Sequence, residues 1–300
     1  MKVLFLTLAA LISSCLIVAA PDSLDDSLQN LKDAVSKKDT AQIKPLAVTT
    51  LDAANKVIAG PAPETEIDKA QVEQAREAKD FAEYALYSTA LEAEPADRVD
   101  LFATLEEKSP ASKYLNDGYV YYFQALNQTG ASAKIQPIVE KAIKSLPASP
   151  DVLAALLDLA AQKQQNDKAV GYAQRLIAAL GKRSKSEIMP DAEWQKKKLA
   201  MLGRAHLVCG VIYVAQTHYY RADQELRAAL PLVKGDDQQT ATVLFNLGVA
   251  DYQLGSTGLD KSKVLEAMRY SQQCAGIKSQ YQDQAAHNAQ AMKTFASSMR

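Results

Sequence analysis

The residues able to bind a metal or activate a nucleophile are few, and their spacing suits neither task. The three histidines are His206, His218 and His287. None sits in the close His/Asp/Glu spacing that holds zinc, and HExxH is absent. No G-x-S-x-G elbow, phosphate-binding loop or dinucleotide fingerprint occurs either. Residues 64–80 gather acids with Lys or Arg three or four positions away, which is the pattern of a solvated helix face rather than of paired catalytic carboxylates. Lys plus Arg number 34 against 35 Asp plus Glu, so no excess of positive charge argues for nucleic acid. The basic run KRSKS at 182–186 is too short to change that balance. The sequence predicts no catalytic residue, metal site or cofactor site, which leaves recognition as the chemistry to look for.

The first stretch reads as a targeting segment. Lys2 precedes the apolar run Val3–Ala10, and apolar character continues to Ala20, so residues 1–20 are expected to be an export signal. Two cleavage readings compete: small residues around Val18 and Ala20, or Ile17 and Ala19, suit an ordinary signal peptidase. Alternatively, Ile12-Ser13-Ser14-Cys15 resembles a bacterial lipobox with Cys15 as the lipidated first residue. Cys209 and Cys274 remain, on different expected helices, and are read as separate buried thiols.

The elements that position any binding residues are predicted to be helical. Only 12 Gly and 11 Pro occur among 300 residues, while Ala, Leu, Gln and Lys abound, and apolar residues at 48% are ample for a core. Leu24, Leu28, Leu31 and Val35 recur three or four apart and predict an amphipathic helix over 21–39. A second is expected over 41–58, ended by Gly60-Pro61-Ala62-Pro63. A long helix over 64–91 is expected to close at Pro95, with a short return helix over 99–105. The aromatic stretch 112–127 should pair with a helix over 135–146. Its Tyr119, Tyr121 and Tyr122 cannot all face inward, so core packing and an exposed partner surface at Tyr119 or Tyr121 are both open. A hairpin spans 150–180, and 181–189 reads as an irregular loop. The helix opening at Pro190-Asp191-Ala192-Glu193 runs to about Gln216, its beginning projecting beyond the hairpin. Residues 240–254 form the next helix, with Gly255 placed to end it, and 280–299 suits a cap.

In two neighbouring stretches small, apolar and aromatic residues recur at helical spacing. Gly210, Tyr213, Ala222 and Ala229 carry it once, and Leu247, Gly248, Tyr252 and Gly255, followed by Ala267 and Cys274, carry it again. Leu156, Ala160, Ala169 and Leu176 give a weaker third copy, and Gly118, Tyr122 and Ala142 a degenerate fourth. In these residues the stretch 112–290 resembles the tetratricopeptide repeat (TPR) family, in a divergent, exported bacterial form. His206 and Leu244 stand at the family's tryptophan position, and Leu157 replaces its glycine in the third copy.

The resemblance implies an all-α fold, an irregular TPR-like helical-hairpin solenoid. Residues 1–20 would be the export signal, 21–111 a divergent N-terminal helical region, and 112–300 the array with its C-terminal capping helix. It also implies a groove lined by first helices, with Asp158, Ala161, Gln162, Arg204, Val211, Ala215, Phe245, Val249, Tyr252 and Gln253 as inward positions. Arg204 would pair with a carboxylate, Gln162 and Gln253 with peptide backbone, and Phe245 and Tyr252 would supply apolar contacts. The expected function is a non-catalytic protein- or peptide-binding adaptor of the bacterial cell envelope, in the periplasm or at the outer membrane. No cofactor and no nucleic acid are expected, and membrane association only through a lipidated Cys15 or a partner. The rival expectations are a small-ligand-binding or enzymatic protein on the same scaffold, and a structural subunit of an envelope complex. Intact mass of the mature N-terminus separates the two cleavage readings: an acyl-modified chain starting at Cys15 reports the lipobox, an unmodified one starting near Pro21 the ordinary peptidase.

Overall fold

The computed structural model describes residues 23–183, 185, 186 and 188–299. The export-signal and Cys15 readings therefore lie outside the described residues. Among the described residues there are thirteen α-helices, one 3-10 turn and no strand, as the all-α expectation requires. The chain divides into two compact units between Ala85 and Leu86. That division falls inside a helix, just before Tyr87, whose ring meets Phe102 edge-on at 6.2 Å and Tyr114 at a tilt at 5.7 Å.

The first unit holds α1 (Leu24–Ser36), α2 (Thr40–Ile58) and the part of α3 (Glu66–Glu92) up to Ala85. Ser23 and Asp39 cap the two leading helices by accepting from the N–H groups of Asp26 and Gln42. Leu31, Ala47, Leu51, Ala54, Ala75 and Ala78 are fully buried within it.

The second unit continues through α4 (Pro95–Lys108), α5 (Lys113–Gln128), α6 (Ile135–Ser145), α7 (Pro150–Gln162) and α8 (Asn166–Lys182). It then runs through α9 (Asp191–Ala215), α10 (Tyr219–Ala229), α11 (Asp237–Thr257), α12 (Lys261–Ala275) and α13 (Gln282–Ser298). Helices α7 and α8, α9 and α10, and α11 and α12 pair as hairpins, and each hairpin packs on the next. Helices α5, α7, α9, α11 and α13 also touch in succession, forming one layer. Each hairpin has an apolar stripe too wide to leave in water, so stacking buries it as a continuous core from Leu153 to Ala250.

One turn geometry recurs. Lys38, Gly130, Gln164, Thr217 and Leu259 all have left-handed backbone, with φ of 54°, 71°, 55°, 60° and 53°. In each case the next residue's N–H reaches back into the preceding helix: Asp39 to the carbonyl of Ala34, Ala131 to Leu126, Gln165 to Ala160, His218 to Tyr213 and Asp260 to Gly255, all at 2.8–2.9 Å. This reversal satisfies carbonyls that a helix end would otherwise leave unpaired. Buried residues flank the turns at matching offsets: Leu31, Ala34, Ile43 and Ala47 in α1 and α2; Leu157, Ala160, Ala169 and Ala173 in α7 and α8; Gly210, Tyr213, Ala222 and Leu226 in α9 and α10. The α1–α2 hairpin thus has the same construction as those of the second unit, although no sequence motif marks it.

Several expectations are corrected. Pro95 opens α4 rather than closing α3, since a proline at the first helical position gives up no needed hydrogen bond. Helix α5 packs on α4 and α7 rather than on α6, which packs on α7 instead. Its aromatic face is spent on Phe102, whose ring stacks on Tyr122 at 5.6 Å, and a 3-10 turn at Ser132–Lys134 leads the chain into α6. Tyr119 is fully buried, its hydroxyl donating to Glu106 Oε1 at 3.3 Å. Gly255 does not end α11 but lies within it, the helix continuing to Thr257, and its missing side chain admits Val264 of α12. The start of α9 does not project: Trp194 is fully buried beneath the Arg183 guanidinium, and Lys197 Nζ lies 2.8 Å from Asp151 Oδ1 of α7. Cys209 and Cys274 are separate buried thiols, as expected.

A Cβ on Gly210 would fall inside van der Waals contact with the branch carbon of Leu226. Gly210→Ala is therefore expected to destabilise the chain by about 1–3 kcal/mol through overpacking, read as a lower urea midpoint with unchanged helical content.

Candidate functional site

The layer of α7, α9 and α11 contains a half-open cavity of about 480 Å3. Its floor is one face of α9, where Leu207, Val208, Val211, Ile212 and Ala215 recur three or four apart. Of that face Leu207, Val208 and Ile212 are buried, Val211 is half-buried and Ala215 is exposed. Gly203 meets Leu232 and Val233, and Gly210 meets Leu226, so α9 lies tightly on α10 and the segment after it.

Mostly polar groups edge the floor. Ala161, which is apolar, and Asn166 come from the α7–α8 junction, Gln238, Gln239 and Thr242 from the first turns of α11, and Gln280 from the segment before α13. The start of α11 is held by Asp236, whose Oδ1 accepts from Gln239 N at 2.9 Å and whose Oδ2 accepts from Gln239 Nε2 at 2.7 Å. At the α7 side, Arg204 Nε and Nη2 both donate to Asp158 Oδ1, at 3.1 and 3.0 Å.

The expected groove residues separate into two groups. Asp158, Arg204, Val211, Ala161 and Ala215 come together at or beside the cavity. Gln162 is exposed on α7 outside its lining, as is half-buried Val249 on α11. Phe245 stacks on Tyr281 with ring centroids 4.6 Å apart, and Tyr252 meets Phe295 of α13 edge to face at 5.7 Å. These two rings are engaged by the chain's own C-terminal segment. Gln253 is half-buried and outside the cavity, its carbonyl accepting from Ser256 Oγ at 3.3 Å. Sequence reasoning passed over the rest of the α9 face, which the spacing from Arg204 to Val211 could have supplied. It also passed over Gln238, Gln239, Thr242 and Gln280, for which the sequence carries no comparable signal.

Two charged clusters are the other places where chemistry could reside; each is built of ion pairs within the chain, and in the first Asp117 Oδ1 and Arg183 Nη1 are buried with no hydrogen-bond partner among the described residues. In the first, Asp117 Oδ2 accepts from Arg183 Nη2 at 2.8 Å and from Ser186 Oγ at 2.6 Å, tying the α8–α9 connection to α5. In the second, Arg227 donates to Asp223 at 2.6 Å, Asp251 at 2.8 Å and Glu266 at 2.9 Å, so α10, α11 and α12 share one cation. Lys263 Nζ lies 3.1 Å from the other oxygen of the fully buried Asp251. Burial and the adjacent Asp223 push the Asp251 carboxyl up to about 7, against the pull of Lys263 and Arg227. None of these side chains lines the cavity. Burial also pushes the Cys209 thiol up to about 12, which removes it as a nucleophile at neutral pH. His206 is held by Glu225, Nδ1 to Oε2 2.6 Å, and among the described residues no group of three His, Cys, Asp or Glu is placed to hold a metal ion.

Helix α9 is long and apolar enough to cross a membrane by length and composition. Its Trp194, Ala205, Leu207, Cys209, Ile212 and Tyr213 are nonetheless buried in the core shared with α7, α8, α10 and α11. No protein-family model matches the chain, and no curated protein matches it.

The Asp251 site gives stability a pH dependence. Because its folded-state pKa is raised, the folded chain holds this proton more tightly than the unfolded chain, so the contribution is full at low pH. It is lost as pH rises from the ordinary carboxylate range through the raised value near 7. Unfolding midpoints between about pH 4 and about pH 8 are expected to show this fall, and Asp251→Asn to flatten it.

Proposed function

We propose that this chain is a non-catalytic scaffold that binds a protein or peptide segment, built on a TPR-like helical solenoid and working in the bacterial cell envelope. The observation that carries the reading is the half-open cavity on α9, with an aliphatic floor and a polar edge whose one ionisable side chain, Arg204, is paired with Asp158. An apolar floor supplies affinity through burial, and a few placed hydrogen-bonding groups fix orientation. Most of the lining comes from α7, α9 and α11 of the stacked layer, joined by Asn166 at the start of α8 and Gln280 in the segment before α13. The envelope location rests on the Lys2 charge and the apolar run to Ala20, with Cys15 as the lipidated residue in the lipobox reading.

The cavity volume favours a second reading. About 480 Å3 lies within the range of roughly 300–1,000 Å3 usual for small-molecule pockets, which suits a carrier of a small ligand.

Val211 is half-buried on the cavity floor, and a carboxylate there would oppose any apolar occupant. In native pull-downs from membranes and from the soluble periplasmic fraction, the wild-type chain is expected to capture a saturable protein partner. Val211→Glu is expected to weaken capture at least about tenfold with unchanged circular dichroism. A partner retained by a folded Val211→Glu chain overturns the assignment to this cavity. A small molecule detected by native mass spectrometry, displaced by the same substitution, supports the carrier instead.

A further inference from the structure

Three carboxylates and two cations meet where the α9–α10 hairpin packs on the α11–α12 hairpin. Asp223 and Arg227 come from α10, Asp251 from α11, and Lys263 and Glu266 from α12, whose Tyr270 hydroxyl accepts from Arg227 Nη1 at 2.8 Å. Among the described residues, every side-chain hydrogen bond and ion pair of these six is to another of the six. Helices α9 and α13, which also pack on α11, contribute no partner to any of them. The cluster is therefore one positive charge short. We propose that it is a proton-operated joint: one proton shared between Asp223 and Asp251 locks the two hairpins together, and its loss loosens the section from α11 onward.

Geometry places the proton. Arg227 takes one oxygen of each aspartate, Asp223 Oδ1 through Nε at 2.6 Å and Asp251 Oδ2 through Nη2 at 2.8 Å. The oxygens left over, Asp223 Oδ2 and Asp251 Oδ1, lie 3.8 and 3.1 Å from the same Lys263 Nζ, and Asp251 Oδ1 is buried without a hydrogen bond. The two carboxyls are within hydrogen-bonding reach of each other, a contact that two ionised acceptors cannot use and a singly protonated pair can. A proton taken from water onto this pair leaves two ionised acids facing two cations and changes no covalent bond of the chain. Glu266 is the wrong place for it, because the hydrogen bond from Arg227 holds that carboxyl below its ordinary range, whereas burial and Asp223 raise Asp251. Arg227, Lys263 and Glu266 are part-exposed, so the rim of the cluster admits the proton from solvent.

Without the proton, two ionised aspartates lie side by side under cover, and separating the hairpins lets water reach them. Helices α11, α12 and α13 share two small cores of their own, so they loosen as a unit. The closed joint holds the proton more tightly than an open one, in which each carboxyl returns to its ordinary value of about 4. Closure is therefore firmest at low pH, weakens as pH rises towards the raised Asp251 value of about 7, and levels off above it. Gln238, Gln239, Thr242 and Gln280 of the α9 cavity all belong to the loosened section, so the joint also sets how firmly that edge is held.

Hydrogen-exchange mass spectrometry on the full, ligand-free chain tests the joint, with labelling times scaled to the intrinsic exchange rate at each pH. Protection across α11, α12 and α13 is expected to fall at least about tenfold between about pH 5 and about pH 8 and to change little by about pH 9, while α7 and α8 stay within about threefold. Asp251→Asn and Asp223→Asn each leave two acids against two cations, so each is expected to keep its protection within about threefold over the same range. In the wild-type chain the carboxyl carbons of Asp223 and Asp251 are expected to shift together in an NMR titration, with a midpoint between about 6 and about 8. Titration of every aspartate complete below about pH 5 overturns the proposal. Protection that does not change with pH, that falls equally through α7 and α8, or that falls in both Asn variants as in wild type does so too. Should one variant fail to fold, the other and the wild-type titration decide. None of these readouts requires a ligand, so they judge the joint apart from what the cavity binds.

Discussion

Antiparallel helices approach most closely where one of them lacks a side chain, and the second unit depends on that approach. Gly210 admits Leu226, and Gly248 admits the Ala267 carbonyl and the Ser271 side chain, so each first helix lies tightly on its second. Gly203 and Gly210 hold α9 on α10 and the residues beyond it, while the face that carries Val211 and Ala215 lies towards α7 and α11, which leave part of it open.

The turns impose the second constraint. Four of the five recurrent reversals use a residue other than glycine in left-handed backbone, at a cost of roughly 1 kcal/mol each. What maintains the geometry is the returning N–H, made at every one of them, and the buried residues at matching offsets on either side. The construction is carried by backbone and burial more than by residue identity. The charged clusters then set how neighbouring hairpins lock. Arg227 bridges three helices through carboxylates that would repel one another without it, and Asp117 holds the irregular α8–α9 connection against α5.

This explains which parts of the fold were legible in the sequence. Apolar periodicity is a local property of one helix, so the helices, the α7–α8, α9–α10 and α11–α12 hairpins and the close-packing roles of Gly210 and Gly248 could all be read. Pairing is not local. Nothing in 112–146 announces that the α5 aromatics are taken by Phe102, and nothing in 21–58 marks Lys38 as a left-handed turn equivalent to Thr217. The candidate site divides in the same way. Arg204 and Val211 follow from their place on one helix, whereas Phe245 and Tyr252 were judged without the C-terminal rings that cover them, and Gln280 reaches the cavity only through tertiary packing.

The cover over Phe245 and Tyr252 bears on the cavity as well. Helix α13 and the segment before it are held through two small cores, one joining Ala241, Leu244, Cys274 and Ala285, the other Val264, Ala267, Met292 and Ala296. Gln280, one wall of the cavity, immediately precedes the Tyr281 ring that stacks on Phe245. A ligand that engaged this wall would bind more tightly when the terminal segment is docked, so occupancy and docking would be linked: such a ligand would hold the end of the chain in place by as much free energy as the docked end contributed to holding it.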